Sequence, residues 1–149
     1  LLSFIESALT NADIDASNLE LEITEGVLMI GKSYIDNALV KLHELGIKLS
    51  MDDFGTGYSS LSYLRQYAFD ILKIDRCFIT NINNNKSDCD LVKGTIALAH
   101  SLGLKVVAEG VETKEQFEQL NQLACDYIQG YYFSKPITSQ QLLEFTVEV

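Results

Sequence analysis

The chain has 149 residues, 47% of them hydrophobic, which is one domain's worth of polypeptide with enough apolar side chain for a sizeable core. Its formal charge of -10, from 21 acids against 11 bases, repels polyanions and excludes nucleic-acid duplexes as partners, while a small phosphate-bearing ligand stays open where bound cations reverse the local sign. No run approaches the roughly 18 apolar residues of a membrane span and no charged-then-apolar leader opens the chain, so no membrane contact from this segment and a cytoplasmic setting are expected.

Residues 1–12 carry apolar side chains at helical spacing (Leu1, Ile5, Ala8, Leu9) and start abruptly without Met, as expected of a piece joined to something upstream. Residues 19–24 read as the first strand. Residues 34–45 are helical, with Ile35, Leu39, Leu42 and Leu45 on one stripe and Gly46 as the stop. The second strand is 47–51, followed by a Gly-rich loop at 53–58 and a helical stretch near 59–65. Residues 70–74 form the third strand, 88–102 a helix stopped by Gly103, and 104–108 the fourth strand. Thr113 is an N-cap for a helix to Leu123, with Gln116 completing a capping box. A fifth strand at 126–129 and a last helix near 139–146, introduced by Pro136, close the pattern.

Short β-rich runs alternating with helices are the signature of βα units, so the class is α/β. A closed (β/α) barrel needs eight strands and about 250 residues. Five units therefore make a partial TIM-like barrel, with residues 19–24 as an apolar edge that calls for pairing or covering. Cys77, Cys89 and Cys125 are odd in number and form no Cys-x-x-Cys pair, so they read as reduced packing cysteines.

The chemistry lies where these strands run out. Glu22, the pair Asp52-Asp53, Lys73 and Glu109 all fall at strand ends, and in a parallel barrel such positions converge on one mouth. That many acids share a small space only if cations neutralise them, which points to a divalent-metal site. Asp52 could bridge two cations while Asp53 binds one; a plain loop-capping role is the alternative for an Asp-Asp before Gly55. Lys73, mid-strand between Leu72 and Ile74, needs a buried partner: either the acid cluster or a structural ion pair with Asp70 or Asp75. Glu25 could hold the Gly-rich loop or sit in the first turn of the next helix. Glu20 reads as merely solvated. His43 and His100 lie within helices and read as surface or core-edge residues, and Tyr131, Tyr132 and Phe133 read first as packing, with base stacking as the alternative.

These residues resemble the EAL-domain family of bacterial cyclic-di-GMP phosphodiesterases. The resemblance rests on Leu-Glu-Ile-Thr-Glu (21–25), Met-Asp-Asp-Phe-Gly-Thr-Gly-Tyr-Ser-Ser-Leu (51–61), Leu-Lys-Ile-Asp (72–75), Val-Ala-Glu-Gly-Val-Glu-Thr (107–113) and Gln-Gly-Tyr (129–131), in family order. It implies a TIM-like barrel that hydrolyses cyclic di-GMP to linear pGpG with two Mg²⁺ or Mn²⁺ ions. By that resemblance Glu22, Asp52 and Asp53 are metal ligands, with Asp52 bridging. Lys73 holds the attacking water, and Glu109 acts on the second metal or as general base. Glu25 anchors the loop, Glu112 supports the site, and Gln129 and Asp75 lie near substrate. The implied partners are cyclic di-GMP, a second copy of the parent protein and an upstream sensory or cyclase domain.

The family's Glu-Ala-Leu tripeptide and its Asn-bearing strand, each a source of one metal ligand, are not in this sequence. The chain thus resembles the C-terminal three-fifths of the domain, and on its own is expected to be inactive because a site short of ligands loses geometry as well as charge. The alternative is a degenerate module that binds the nucleotide or a protein partner. A barrel lyase of the enolase kind, which also uses acids and a Lys at strand ends, is a weaker third reading.

Overall fold

A computed structural model of the chain describes residues 1–30, 32–55 and 61–146. Among them, five parallel strands form one sheet in the order β1-β2-β3-β4-β5, with β1 Glu20–Thr24, β2 Lys48–Phe54, β3 Ile71–Ile74, β4 Lys105–Ala108 and β5 Tyr127–Ile128. The helices are α1 Leu2–Ala12, α2 Glu25–Ile30, α3 Lys32–Glu44, α4 Leu61–Gln66, α5 Arg76–Ile79, α6 Lys86–Ser101, α7 Lys114–Gln122 and α8 Ser139–Leu142. Sequential strands lie side by side in parallel, so each crossover carries helix, as the βα pattern requires.

The two faces of the sheet differ in chemistry. Leu49 and Met51, Leu72 and Ile74, and Val106 and Ala108 share one parity along β2, β3 and β4, and all six are buried in the core that the helices cover. On the other parity lie Glu22, Ser50, Asp52, Ile71 and Lys73, a largely polar row. Helix α6 supplies Val92, Ile96 and Ala99 to the core at i, i+4 and i+7, and α3 supplies Leu39 and Leu42. Leu45, expected on the stripe of α3, instead lies past the helix end and is exposed, because the chain is already turning into β2 there.

Three expectations are corrected. Strand β2 runs through Asp52 and Asp53 to Phe54, because Phe54 is buried and pairs with Ile74. The short helices α2 and α5 add to the expected elements, and α8 ends at Leu142, short of residue 146. Cys77 is exposed, and only Cys89 and Cys125 pack against the core; all three are free thiols. The Gly-rich loop and the start of the following helix, at 56–60, lie outside the described residues.

Acids also fasten the starts of the strands. Asp70, just before β3, accepts the Leu49 N–H of β2 at 2.9 Å. Asp126, just before β5, accepts the Val106 N–H of β4 at 3.0 Å. Each spans to the neighbouring strand and satisfies a backbone donor. Asp126 also takes Lys105 at 2.6 Å and His100 at 2.7 Å, so His100, exposed as expected, is anchored at the surface.

Candidate active site

At the opposite ends of the strands, acids from three strands meet one lysine. The Lys73 side chain is 4% exposed, and its Nζ donates to Glu22 Oε1, lies 2.7 Å from Glu109 Oε1 and sits 3.9 Å from Asp52 Oδ1. Burial alone would depress the ammonium. The hydrogen bonds to Glu109 and Glu22 outweigh it, so Lys73 is held above its ordinary range and stays charged. The structural partners considered for Lys73 are otherwise engaged: Asp70 serves Leu49, and Asp75 accepts the Cys77 N–H at 2.8 Å as the N-cap of α5.

The register explains how two aspartates come to face one lysine. Met51 pairs with Leu72 and Phe54 with Ile74, so Asp52 and Asp53 together oppose Lys73 in a β-bulge. Asp53 takes the extra place in the left-handed region at φ 57, and its N–H donates to Asp52 Oδ1 at 2.9 Å. Its carboxyl is raised above the usual carboxylate range, first by burial, then by the like charges of Asp52 and Asp75, with Lys73 opposing. Ser50 supplies the remaining condition. It lies between Glu22 and Ile71 in the ladder and is fully buried, and so small a side chain leaves the space in which the long Glu22 and Lys73 chains meet across β2.

Glu109 follows β4, and its N–H continues the ladder to Ile74 O at 3.1 Å. Beyond it a cavity of about 230 Å³ is lined by Arg76, Glu109, Glu112, Gln129 and Tyr131, with Arg76 and Glu112 paired at 2.8 Å across it. Two glycines shape this cavity. A Cβ on Gly130 would stand 2.0 Å from the Val111 carbonyl oxygen, a backbone atom that cannot yield, and one on Gly110, at φ 69, would overlap the Arg76 side chain. Tyr132 stacks on Phe117 at 5.4 Å and Phe133 meets it edge-on at 5.7 Å, as packing predicted, whereas Tyr131 is exposed at the cavity. A larger cavity of about 820 Å³ between α1 and α3 shares no lining residue with this rim.

The geometry thus brings Glu22, Asp52, Lys73 and Glu109 together, sets Asp53 in the same bulge, and places Glu112 and Gln129 on the adjoining cavity. Asp75 caps a helix beside it. Glu25 opens α2, and its side chain lies outside the described residues. Sequence reasoning passed over Arg76 and Ser50; their only signal was position, one residue after Asp75 and two before Asp52. The donor set is all oxygen, which suits a hard divalent cation. Among the described residues, however, no three acidic, His or Cys side chains stand close enough to hold a metal by themselves.

The chain is 47% identical over 145 residues to the cyclic di-GMP phosphodiesterase NbdA of Pseudomonas aeruginosa, covering 97% of this chain and 18% of NbdA. It therefore spans about a fifth of that relative's length. It superposes with TM-score 0.89 and 40% identity on the structure described as "PaMucR Phosphodiesterase, c-di-GMP complex", over 95% of this chain and 57% of that one. A Klebsiella pneumoniae BlrP1 structure described as a manganese/cy-diGMP complex gives TM-score 0.85 and 31% identity, over 91% of this chain and 34% of that one. No described helix is long and apolar enough to cross a membrane. These likenesses set aside the barrel-lyase reading, and the partial barrel is that of the structures it matches. With the EAL domain model matching residues 1–136, the chain belongs to the EAL domain family.

Proposed function

We propose that the chain is the C-terminal part of a phosphodiesterase domain that hydrolyses cyclic di-GMP to linear pGpG with two Mg²⁺ or Mn²⁺ ions. The observation that carries this reading is the buried, charged Lys73 held among Glu22, Asp52 and Glu109, with the Asp52-Asp53 bulge against it. Left alone, this rim is net negative and repels a phosphodiester. Divalent cations held by Glu22, Asp52, Asp53 and Glu109 would reverse that sign and neutralise the attacking and leaving oxygens.

Lys73 has three N–H donors, and Glu22 and Glu109 take two. The third is left to orient the attacking water, while Glu109, hydrogen-bonded to the same ammonium, accepts its proton. Asp75 and Gln129 flank the substrate, Glu112 supports the cavity wall, and Glu25 anchors the loop that follows β2. The shares of the matched proteins that the chain covers support a domain continued by further strands; in this reading the parent carries an upstream sensory or cyclase domain and acts as a homodimer. The free thiols support a cytoplasmic setting.

One observation favours a second reading, a degenerate module that binds the nucleotide or a protein partner without turnover. The rim already has an internal cation, and among the described residues no group of side chains closes a metal cage by itself. Incubating the full-length parent with cyclic di-GMP, with Mg²⁺ or with chelator, separates the two. Metal-dependent appearance of pGpG supports the enzyme; nucleotide binding without product supports the module and overturns hydrolysis.

A further inference from the structure

Gln116 was expected to do no more than complete the cap of α7, yet its amide reaches beyond the cap. Oε1 accepts the Glu112 N–H at 2.8 Å and the Thr113 N–H at 3.1 Å, and Nε2 donates to the Ile79 and Thr80 carbonyls, each at 3.3 Å. The side chain is buried, so these bonds are not traded freely for water. A helix cap uses only the first pair. The second pair joins residues 36 and 37 positions away, at the end of the short helix that begins with Arg76.

Building on the phosphodiesterase reading, we propose that Gln116 is a positioning residue that fixes the β4–α7 loop to α5. It thereby sets the spacing of the Arg76–Glu112 pair that walls the nucleotide cavity. Lys73 and Glu109 are held by other bonds, the β3–β4 ladder and the Glu109 N–H to Ile74 O contact at 3.1 Å, none of which involves Gln116. Gln116 therefore governs affinity for the nucleotide and leaves the chemical step alone.

The test is Gln116→Glu in the full-length protein. The carboxylate keeps both acceptors for the cap and loses both donors to α5. KM for cyclic di-GMP is expected to rise about tenfold, since small misplacements of a binding wall are costly, with kcat held within about twofold. Amide exchange is expected to accelerate at both 76–80 and 109–113. Unchanged KM, or a fall in kcat with KM constant, overturns the proposal, because a simple loss of folded protein gives that second pattern. Should Gln116→Glu not fold, Gln116→Met, which gives up the cap acceptors as well, is read by KM and by exchange at 76–80 alone. If the unsubstituted protein has no turnover, the phosphodiesterase reading fails separately, and exchange still decides the coupling: acceleration in one loop only refutes it.

Discussion

Replacing Lys73 with Met keeps the length of the side chain and removes its charge, which makes Lys73→Met a direct test of how the acidic rim is held. The variant loses the 2.7 Å bond to Glu109 and the bond to Glu22, leaving carboxylates in mutual repulsion with Asp52 and Glu109 only 19% and 20% exposed. Removing one partner of a buried ion pair costs about 3–5 kcal/mol, and Glu22, at 53% exposed, places this case near the lower end. In metal-free buffer the loss is then about 3 kcal/mol, or a fall in Tm of roughly 6–12 °C for a domain of this size. Saturating Mg²⁺ or Mn²⁺ recovers most of that loss, because a bound cation takes over the neutralising role. Turnover of cyclic di-GMP falls at least about 10²-fold even with metal, as for the loss of a preorganised charge at the reacting oxygen, while nucleotide binding is largely kept. Thermal unfolding in chelator and in metal, with product analysis beside it, measures all of this. A variant that melts like the parent in chelator, or that keeps its turnover, refutes the reasoning.

Other outcomes follow from particular contacts. The Asp126 carboxyl is pulled down to about 2 because Lys105, His100 and the Val106 N–H together outweigh its burial. A depressed carboxyl stabilises above its unfolded pKa and loses that contribution as pH falls through the folded value. Asp126→Asn will thus cost about 1–2 kcal/mol near pH 7, after allowance for solvent screening, and the difference from the parent will close between about pH 4 and 2 in denaturant titrations. Gly130→Ala drives a methyl into the Val111 backbone and is expected to cost about 2–3 kcal/mol and to distort the cavity, read as a lower Tm and weaker nucleotide binding. Gly94→Ala, within α6 and with nothing near the added methyl, is expected to raise stability by about 0.5–1 kcal/mol, and equal effects of the two substitutions would contradict the contact geometry.

What could be read from the sequence was local or periodic. The apolar runs gave all five strands, and the Thr113-Gln116 spacing gave the cap of α7, because both depend on residues a few positions apart. The bulge could not be read that way. It exists only in the pairing of β2 with β3, so Asp52 and Asp53 looked like loop residues when they stand in a strand. Helix α5 was invisible for a related reason, since four residues that begin with Arg76 carry no period of their own and depend on the Asp75 cap. The second half of Gln116's bonding, reaching Ile79 and Thr80, is likewise a product of the fold. The convergence of Glu22, Asp52, Lys73 and Glu109 was legible because parallel strands in a barrel bring their ends to one mouth whatever lies between them.

The carboxylates before β3 and β5 grip backbone amides, while those within β1 and β2 and just after β4 crowd around an ammonium. The two poles of the molecule therefore answer to different solutes. If the proposed cations are held there, chelators act on the second pole and leave the first clamped, whereas strong acid releases the first by discharging its clamps. A protein built in this way can loosen where it meets ligand without fraying where its strands begin.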